Sequence, residues 1–248
     1  MMLGCSSTPS SGNDAATDAP SARPRTERYI RGDFDTRLVV EVDYVTGALP
    51  RAAAETELTS RLGTLLDKPA GVQIVHGDVI PTRGADHAWT FAELQALGTQ
   101  TFTDDTTAGT VVMHVMWIDG HDANDTSSAR VLGVSWDNLH TALYHDSVEA
   151  QCSGMTLLGD RACSEMQYGV WLHEIGHTIG LVNDGTPMST PHEDATHPAH
   201  DSSSSCIMYW AYDGSAGGDM ITSALLGGGS APDFDANCLA DIAAIRNR

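Results

Sequence analysis

The chain has 248 residues, of which 41% are hydrophobic and 19% are charged, a composition typical of a globular protein with one sizeable core. Its 33 acidic and 13 basic residues give a formal net charge of −20, which argues against nucleic acid and anionic membrane surfaces as partners, because phosphate contacts need clustered Lys and Arg. A membrane-spanning helix needs about 18 or more consecutive apolar residues, and the sequence contains no such run.

The N-terminus begins MMLGC, which resembles the end of a bacterial lipoprotein signal, where a small residue precedes a cysteine that becomes lipidated. The basic and apolar regions of a full signal peptide are missing before Cys5. The stretch from Ser6 to Glu27 is rich in Ser, Thr, Pro, Asp and Ala and has too little apolar surface to fold. We expect residues 1–27 to be a signal remnant and disordered tether and residues 28–248 to be the folded domain. The alternative is a disordered N-terminus with an incidental cysteine.

Apolar runs and breaker residues predict the elements of the domain. Strands are expected at Arg37–Val45, Gly71–Ile80, Thr110–Ile118, Val131–Trp136 and Thr141–Val148, and helices at Pro50–Leu66, Phe91–Leu97, Glu165–Gly180 and Asp233–Arg246. For the third helix, Ser164 and Gln167 read as a capping box and Gly180 as the stop signal. The glycine-rich stretch from Gly214 to Gly229 reads as a connection.

A polar loop with three aspartates, Asp119 to Arg130, follows the most apolar of these strands. Aspartates in a loop are potential Ca²⁺ ligands, and Ca²⁺ is a weak second cofactor candidate here. The spacing of a helix-loop-helix calcium site is absent, and a solvated loop is the favoured interpretation.

Five cysteines are present, and Cys5 is separated from the other four by the polar tract. An even number in the folded part predicts two disulfides in an oxidising compartment. The pairing Cys152 with Cys163 and Cys206 with Cys238 is the simplest, although connectivity does not follow from sequence. The protein is therefore expected outside the cytoplasm, as a surface lipoprotein held through Cys5 or as a secreted protein.

The motif with the clearest chemistry is H-E-I-G-H, formed by His173, Glu174 and His177. On a helix, residues four apart share a face, so both imidazoles reach one metal ion while Glu174 lies beside it. A catalytic zinc ion takes three protein ligands and an open position, where it activates water for a carboxylate base. The pentapeptide also occurs by chance, but the apolar residues around it favour a buried helix and a metal site.

These residues resemble the metzincin zinc peptidases. H-E-x-x-H-x-x-G is present from His173 to Gly180, and Cys206-Ile207-Met208-Tyr209 is similar to the Met-turn. The resemblance covers Trp171 to Tyr212 and implies a metzincin-like zincin fold of the α/β (α+β) class. That fold has a mixed twisted sheet, an active-site helix, an irregular C-terminal subdomain and a C-terminal helix. It also implies that Met208 forms an apolar floor beneath the zinc.

The third zinc ligand is less clear, because the usual metzincin position holds Asn183, a poor ligand. Archaemetzincins have the closest spacing, with the third histidine, Cys, four residues, Cys, any residue and the turn methionine. His200, Asp201, four serines, Cys206, Ile207 and Met208 match it except that Asp replaces the first Cys. This alignment implies His200 as the ligand and argues against the second, cysteine-bound zinc of archaemetzincins.

Three other residues stay open as the third ligand, namely His192, His197 and Asp184. Tyr209 and Tyr212 are weak candidates for stabilising an oxyanion, because the tyrosine position of some metzincins holds Trp210.

The sequence therefore favours a monomeric zinc-dependent endopeptidase that acts on proteins or peptides, with Glu174 as general base and a membrane contact only through Cys5. By family analogy, Thr110–Ile118 is the edge strand that receives an extended substrate. The alternatives are a catalytically silent zinc-containing surface binding protein and a zinc hydrolase of a non-peptide amide.

Overall fold

The computed structural model describes residues 23–103, 107–153 and 158–248. Cys5 and most of the expected tether lie outside these residues. The first element is helix α1, Arg25–Ile30, whose Thr26, Tyr29 and Ile30 are buried, so that it spans the position where the domain was expected to begin. Among the helices of the described chain, none combines the length and the hydropathy that crossing a bilayer requires.

Five strands form the main sheet, in the order β2-β1-β4-β7-β6, and two short strands form a separate pair. The strands are β1 Arg37–Val45, β2 Val72–Ile80, β3 Ala88–Trp89, β4 Thr110–Ile118, β5 His121–Asp122, β6 Gly133–Trp136 and β7 His140–Tyr144. Neighbours in the main sheet are parallel except β6, which runs antiparallel to β7 at one edge. The α/β class with a mixed sheet is confirmed.

Six further α-helices lie in the described part of the domain. They are α2 Ala52–Leu65, α3 Phe91–Thr101, α4 His145–Cys152, α5 Asp160–Thr178, α6 Ser215–Leu226 and α7 Ala236–Arg246, and a short 3-10 helix spans Trp210–Asp213. Helix α5 lies against the sheet and contacts α2, α4, α6, β6 and β7. Its Trp171 packs edge to face on Trp117 of β4 at 5.7 Å, and both rings are fully buried. The helix with the motif is therefore held at the centre of the core.

Several sequence predictions are wrong in detail. β4 is not an edge strand, since it lies between β1 and β7 and all nine of its residues are buried. The stretch Thr141–Val148 is a strand only to Tyr144 and then forms α4, and the glycine-rich connection forms α6.

The expected capping box at the start of the motif helix is also wrong. Helix α5 begins at Asp160, and Ser164 lies inside it with its hydroxyl donating to Asp160 O at 2.9 Å. A serine within a helix satisfies its hydroxyl in this way without marking a terminus.

Candidate metal centre

Helix α5 carries the first two histidines one turn apart. The Nε2 atoms of His173 and His177 lie 3.1 Å from each other. The helix ends in a Schellman motif, in which Leu181 N–H donates to Gly176 O at 2.9 Å. Gly180 N–H donates to His177 O at the same distance, and Gly180 has a φ of +77°, which glycine adopts without a Cβ clash. Gly180 thus ends the helix as the sequence predicts.

His173 is oriented by the chain that follows the histidine-rich loop. Its Nδ1 donates to Ile207 O at 2.6 Å, and the whole ring is buried. A backbone carbonyl on Nδ1 fixes the tautomer and directs Nε2 towards a metal, as second partners of metal-bound histidines commonly do.

His200 meets these two histidines from an irregular loop. Its ring centroid lies 5.4 Å from that of His173 and 4.8 Å from that of His177. Its Nδ1 donates to Pro198 O at 3.0 Å, which leaves Nε2 to face the other two rings. The structure therefore brings together the three histidines chosen from the sequence.

The other candidates for the third ligand lie apart from this group. His197 stacks on Trp210 with ring centroids 4.3 Å apart, and its Nδ1 lies 3.1 Å from Asp194. His192 is buried between two carboxylates of another cluster. Asp184 is exposed and lines the cleft without joining the histidines.

A carboxylate that the sequence analysis missed, Asp213, lies among the three histidines. Its Oδ1 is 2.5 Å from His173 Nε2 and 3.9 Å from His177 Nε2, and its Oδ2 is 2.7 Å from His200 Nε2. The four side chains place one donor atom each within 4.8 Å of one another. Asp213 ends the 3-10 helix, and no motif spacing signals it, because an irregular turn brings it to the site.

Met208 lies beneath the histidines on α5. It is fully buried, and a Cβ on Gly176, between His173 and His177 in sequence, would overlap its Sδ. This contact matches the apolar floor that the resemblance implies, with a thioether filling the gap. Asp213 lines both described cavities beside the site and Trp210 lines one of them, whereas neither Tyr209 nor Tyr212 lines either cavity.

Glu174 faces a cleft of about 420 Å³ next to the histidines. Ser135 of β6 donates its hydroxyl to Glu174 Oε2 at 2.8 Å, while Oε1 is buried and has no hydrogen-bond partner among the described residues. β6 approaches so closely that a Cβ on Gly133 would lie 2.7 Å from Oε1. The carboxylate is held at one oxygen, and the other is buried beside β6 without a hydrogen-bond partner among the described residues.

Burial and mutual charge set the protonation of this site without a metal. Burial and the nearby Asp213 raise the pKa of Glu174 to about 8. Burial alone would lower the pKa of His173, but Asp213 outweighs it and raises that pKa to about 9. Burial and the charge of His173 lower the pKa of His177 to about 3. Burial would raise the pKa of Asp213, but the histidines hold it well below its usual range.

The donor set fits a zinc ion. Zn²⁺ binds neutral imidazole nitrogen and carboxylate oxygen, and three histidines with one aspartate supply four such groups. Metal binding would release the proton that Asp213 stabilises on His173, as is usual when ligands must be deprotonated. The unpartnered Oε1 of Glu174 is a further sign that the site has a role beyond stability, since most buried polar atoms in proteins find partners.

A second buried group, the His192 cluster, lies between the loop of His200 and α7. His192 Nδ1 is 2.6 Å from Asp201 Oδ2, and its Nε2 is 2.9 Å from Asp241 Oδ2. Cys238 lies at its edge, with Sγ 3.8 Å from Asp201 Oδ2. His192, Asp201 and Cys238 also form a group of potential metal ligands with Asp235.

The two cysteine pairings have different outcomes. Cys152 and Cys163 form a disulfide, which confirms the first pair. Cys206 and Cys238 are buried thiols with Sγ atoms 3.6 Å apart, so the second predicted disulfide is wrong in this structure. The two thiols are neighbours that hold α7 against the segment before Met208 by packing.

The calcium prediction is not supported, because the three loop aspartates bond to protein donors. Asp119 accepts from Gly84 N–H at 2.7 Å, Asp122 from Tyr144 OH at 2.8 Å and Asp125 from Val131 N–H at 2.8 Å. Within the described chain, none of the three belongs to a group of potential metal ligands. They shape the loop that borders the cleft.

Comparison of the chain with profiles of known protein families and with curated protein sequences gives no match. Among solved structures, the chain is similar to the crystal structure of archaemetzincin from Methanopyrus kandleri. The two have 14% sequence identity and a TM-score of 0.48, over 86% of this chain and 97% of that chain. The function proposed below rests on the geometry of the site.

Proposed function

We propose that the protein is a zinc-dependent endopeptidase in which His173, His177 and His200 hold the metal and Glu174 is the general base. The observation that carries this proposal is Oε1 of Glu174, which is buried without a hydrogen-bond partner on a residue that lines the cleft beside the histidines. A zinc ion bound there would lower the pKa of a coordinated water to about 7 and polarise a substrate carbonyl.

The chain itself supplies the proton transfers. Ser135 holds Oε2 of Glu174, so Oε1 is the oxygen that accepts a proton from the attacking water. The same carboxyl group then donates this proton to the leaving amine, as a single acid–base residue does in peptide hydrolysis.

The substrate would lie along β6 and not along β4. β6 is an edge strand, and its Gly133, Val134 and Ser135 line the cleft beside Glu174. An extended peptide can add to such an edge through main-chain hydrogen bonds. This arrangement would bring a peptide carbonyl next to the histidines.

We further propose that the protein works as a monomer outside the cytoplasm. The Cys152–Cys163 disulfide supports an oxidising compartment, where such bonds persist. The net charge of −20 supports a peptide over a nucleic acid as substrate. A lipid anchor on Cys5 would be its membrane contact.

A catalytically silent zinc-containing binding protein is the second candidate. Asp213 favours it, because a fourth protein ligand is typical of closed, structural zinc sites. A structural site has no use for a buried and unpartnered Oε1 on Glu174, however, and we give more weight to that oxygen.

Glu174→Gln in the full-length, zinc-loaded chain tests the proposal. The substrate is a denatured protein, fragments are mapped by mass spectrometry, and zinc content is measured on the same samples. We expect wild type to cleave, chelator to stop cleavage, and the variant to keep one zinc but lose at least about 100-fold in rate. Glu165→Gln is the matched control, since Glu165 is a buried glutamate of α5 that accepts from Ala231 N–H instead.

Cleavage by Glu174→Gln at the wild-type rate would overturn the mechanism. Wild type that binds one zinc and cleaves no protein or peptide would favour the silent binding protein.

A further inference from the structure

We propose that Asp213 is a fourth protein ligand of the metal in the substrate-free protein, and that substrate must displace its carboxylate to open the site. The proposal rests on the metal centre of the proposed function and adds a closed resting state to it. Both carboxylate oxygens face histidine nitrogens, at 2.5 Å from His173 and 2.7 Å from His200.

The spacing of the four donors suits one ion. Two ligands of a tetrahedral zinc ion, each about 2.0–2.1 Å from it, are about 3.3 Å apart. The two Nε2 atoms of α5 are 3.1 Å apart, and Asp213 Oδ1 lies 2.5 Å from His173 Nε2 and 3.9 Å from His177 Nε2. These distances bracket the ideal value, so a small shift of the carboxylate completes the set.

The backbone of Asp213 is fixed, and its side chain has room to leave. Leu132 N–H donates to Asp213 O at 2.8 Å, and Val131 forms an antiparallel bridge with Gly214. The side chain is 36% exposed, whereas that of His173 is fully buried. Release therefore needs only a rotation about the side-chain bonds of Asp213 and no movement of the 3-10 helix.

Asp213 also lies where two cavities meet. It lines the cavity of about 420 Å³ next to Glu174 and a second cavity of about 380 Å³ walled by Trp210 and Arg130. The two cavities share Asn124, Val131 and Asp213. A peptide that enters both must pass this carboxylate, so the same side chain closes the metal site and divides the cleft.

The closed state predicts weak binding of exogenous ligands to the resting metal. A bound aspartate lowers the net positive charge of the centre and fills the position that an anion would take. Removing it should weaken the metal site and at the same time open it to anions. A residue that merely adds negative charge to the cleft would not have both effects.

The experiment uses the full-length chain loaded with Co²⁺, whose visible absorption reports coordination, with azide as the exogenous ligand. Asp213→Asn is compared with Asp184→Asn, which removes the same charge from a carboxylate that lines the cleft outside the ligand group. Metal affinity is measured by competition with a chelator, and azide affinity by titration of the Co²⁺ spectrum. Asp213→Glu, which keeps the carboxylate, serves as the rescue variant.

We expect Asp213→Asn to lose at least about 10-fold in metal affinity and to bind azide at least about 10-fold more tightly than wild type. Asp184→Asn should stay within about 3-fold of wild type in both, and Asp213→Glu should recover most of the metal affinity. The proposal is overturned if Asp213→Asn leaves the spectrum and metal affinity unchanged. It is equally overturned if Asp184→Asn reproduces both effects.

The outcomes separate this inference from the proposed function, because neither measurement needs a substrate. An inactive wild type with the expected Asp213 effects would refute the peptidase and leave the fourth ligand standing. Cleavage that depends on Glu174 without any Asp213 effect would do the reverse. Circular dichroism of each variant identifies a loss of folding, and in that case Asp213→Glu alone decides.

Discussion

His192→Gln should destabilise the protein far more than the loss of an exposed ion pair with the same interatomic distances would. The His192 cluster places one imidazole between Asp201 and Asp241, with side chains 2%, 0% and 0% exposed. Burial alone would lower the pKa of His192, but the two carboxylates outweigh it and raise that pKa. Glutamine fills similar space without the charge, and it leaves the two carboxylates buried and uncompensated.

The size of the expected destabilisation follows from the burial of the ion pair and not from the distance between its atoms. His76 and Glu55 form an ion pair with the same 2.6 Å separation as His192 and Asp201, but their side chains are 40% and 19% exposed. An exposed pair contributes about 0–1 kcal/mol, whereas removing one partner of a buried pair costs about 3–5 kcal/mol. For a domain of this size, a loss of about 3–5 kcal/mol lowers Tm by roughly 6–20 °C.

The assay is thermal unfolding in the presence of chelator, so that metal binding does not contribute. The pKa of His192 is higher in the folded than in the unfolded protein. The charge of His192 therefore stabilises the folded protein fully below about pH 6.5, and this stabilisation is lost as the pH rises through the pKa of the folded state. The difference between wild type and His192→Gln should therefore shrink at alkaline pH. Equal losses for His192→Gln and His76→Gln at neutral pH would refute the reasoning.

Three further perturbations test other parts of the structure. Gly133→Ala should reduce the cleavage rate strongly while zinc stays bound, because the new Cβ would lie 2.7 Å from Glu174 Oε1. The cleavage rate and the zinc content are measured on the same samples, and an unchanged rate would contradict the prediction. Gly176→Ala should lower the free energy of unfolding, measured with a chemical denaturant, by about 1–3 kcal/mol or more, since the new Cβ would overlap Met208 Sδ. An unchanged free energy would show that Met208 moves aside at little cost. Burial lowers the pKa of His140 to about 4, so the free energy of unfolding of wild type should fall by up to about 3 kcal/mol as the pH drops from 6.5 to about 4. His140→Gln should reduce this loss of stability at acidic pH, as measured by unfolding at a series of pH values.

The elements of the core could be predicted because local pattern and tertiary environment agree. The β-branched runs from Arg37 to Val45 and from Thr110 to Ile118 are strands with those same bounds. The four-residue spacing of His173 and His177 predicts a common helix face whatever the packing of the helix. Which strand forms the edge depends on strand order, and strand order is not written in a strand's own sequence.

The loop-borne part of the site was harder to predict. His200 was one of several candidates because its place depends on the path of an irregular loop, including a positive φ of 65° at Ala199. Asp213 gave no signal, since it reaches the histidines only through the turn that follows Met208 and the bridge of Gly214 to Val131. Residues held by long-range contacts of irregular chain escape periodicity arguments.

The second cysteine pair illustrates the same limit. Even cysteine counts suggest pairs, and Cys206 and Cys238 do become neighbours with Sγ atoms 3.6 Å apart. Asp201 and Asp235 surround them with polar groups, with Asp235 N–H donating to Cys206 Sγ at 3.4 Å. The even count suggested that cysteines would be paired, but it determined neither which cysteines are neighbours nor whether they are bonded.

His173 and His177 lie on a buried helix, whereas His200 lies on a loop. This difference affects the rate at which the site would exchange its metal. Local opening of a loop needs less free energy than global unfolding, so His200 can detach while His173 and His177 stay in place on α5. Zinc should then exchange with solution faster than the backbone amides of α5 exchange with deuterium. Because His173, His177 and Asp213 would still hold the ion when His200 leaves, the rate of zinc release would set a lower limit on the rate of loop opening, while the core remains folded throughout.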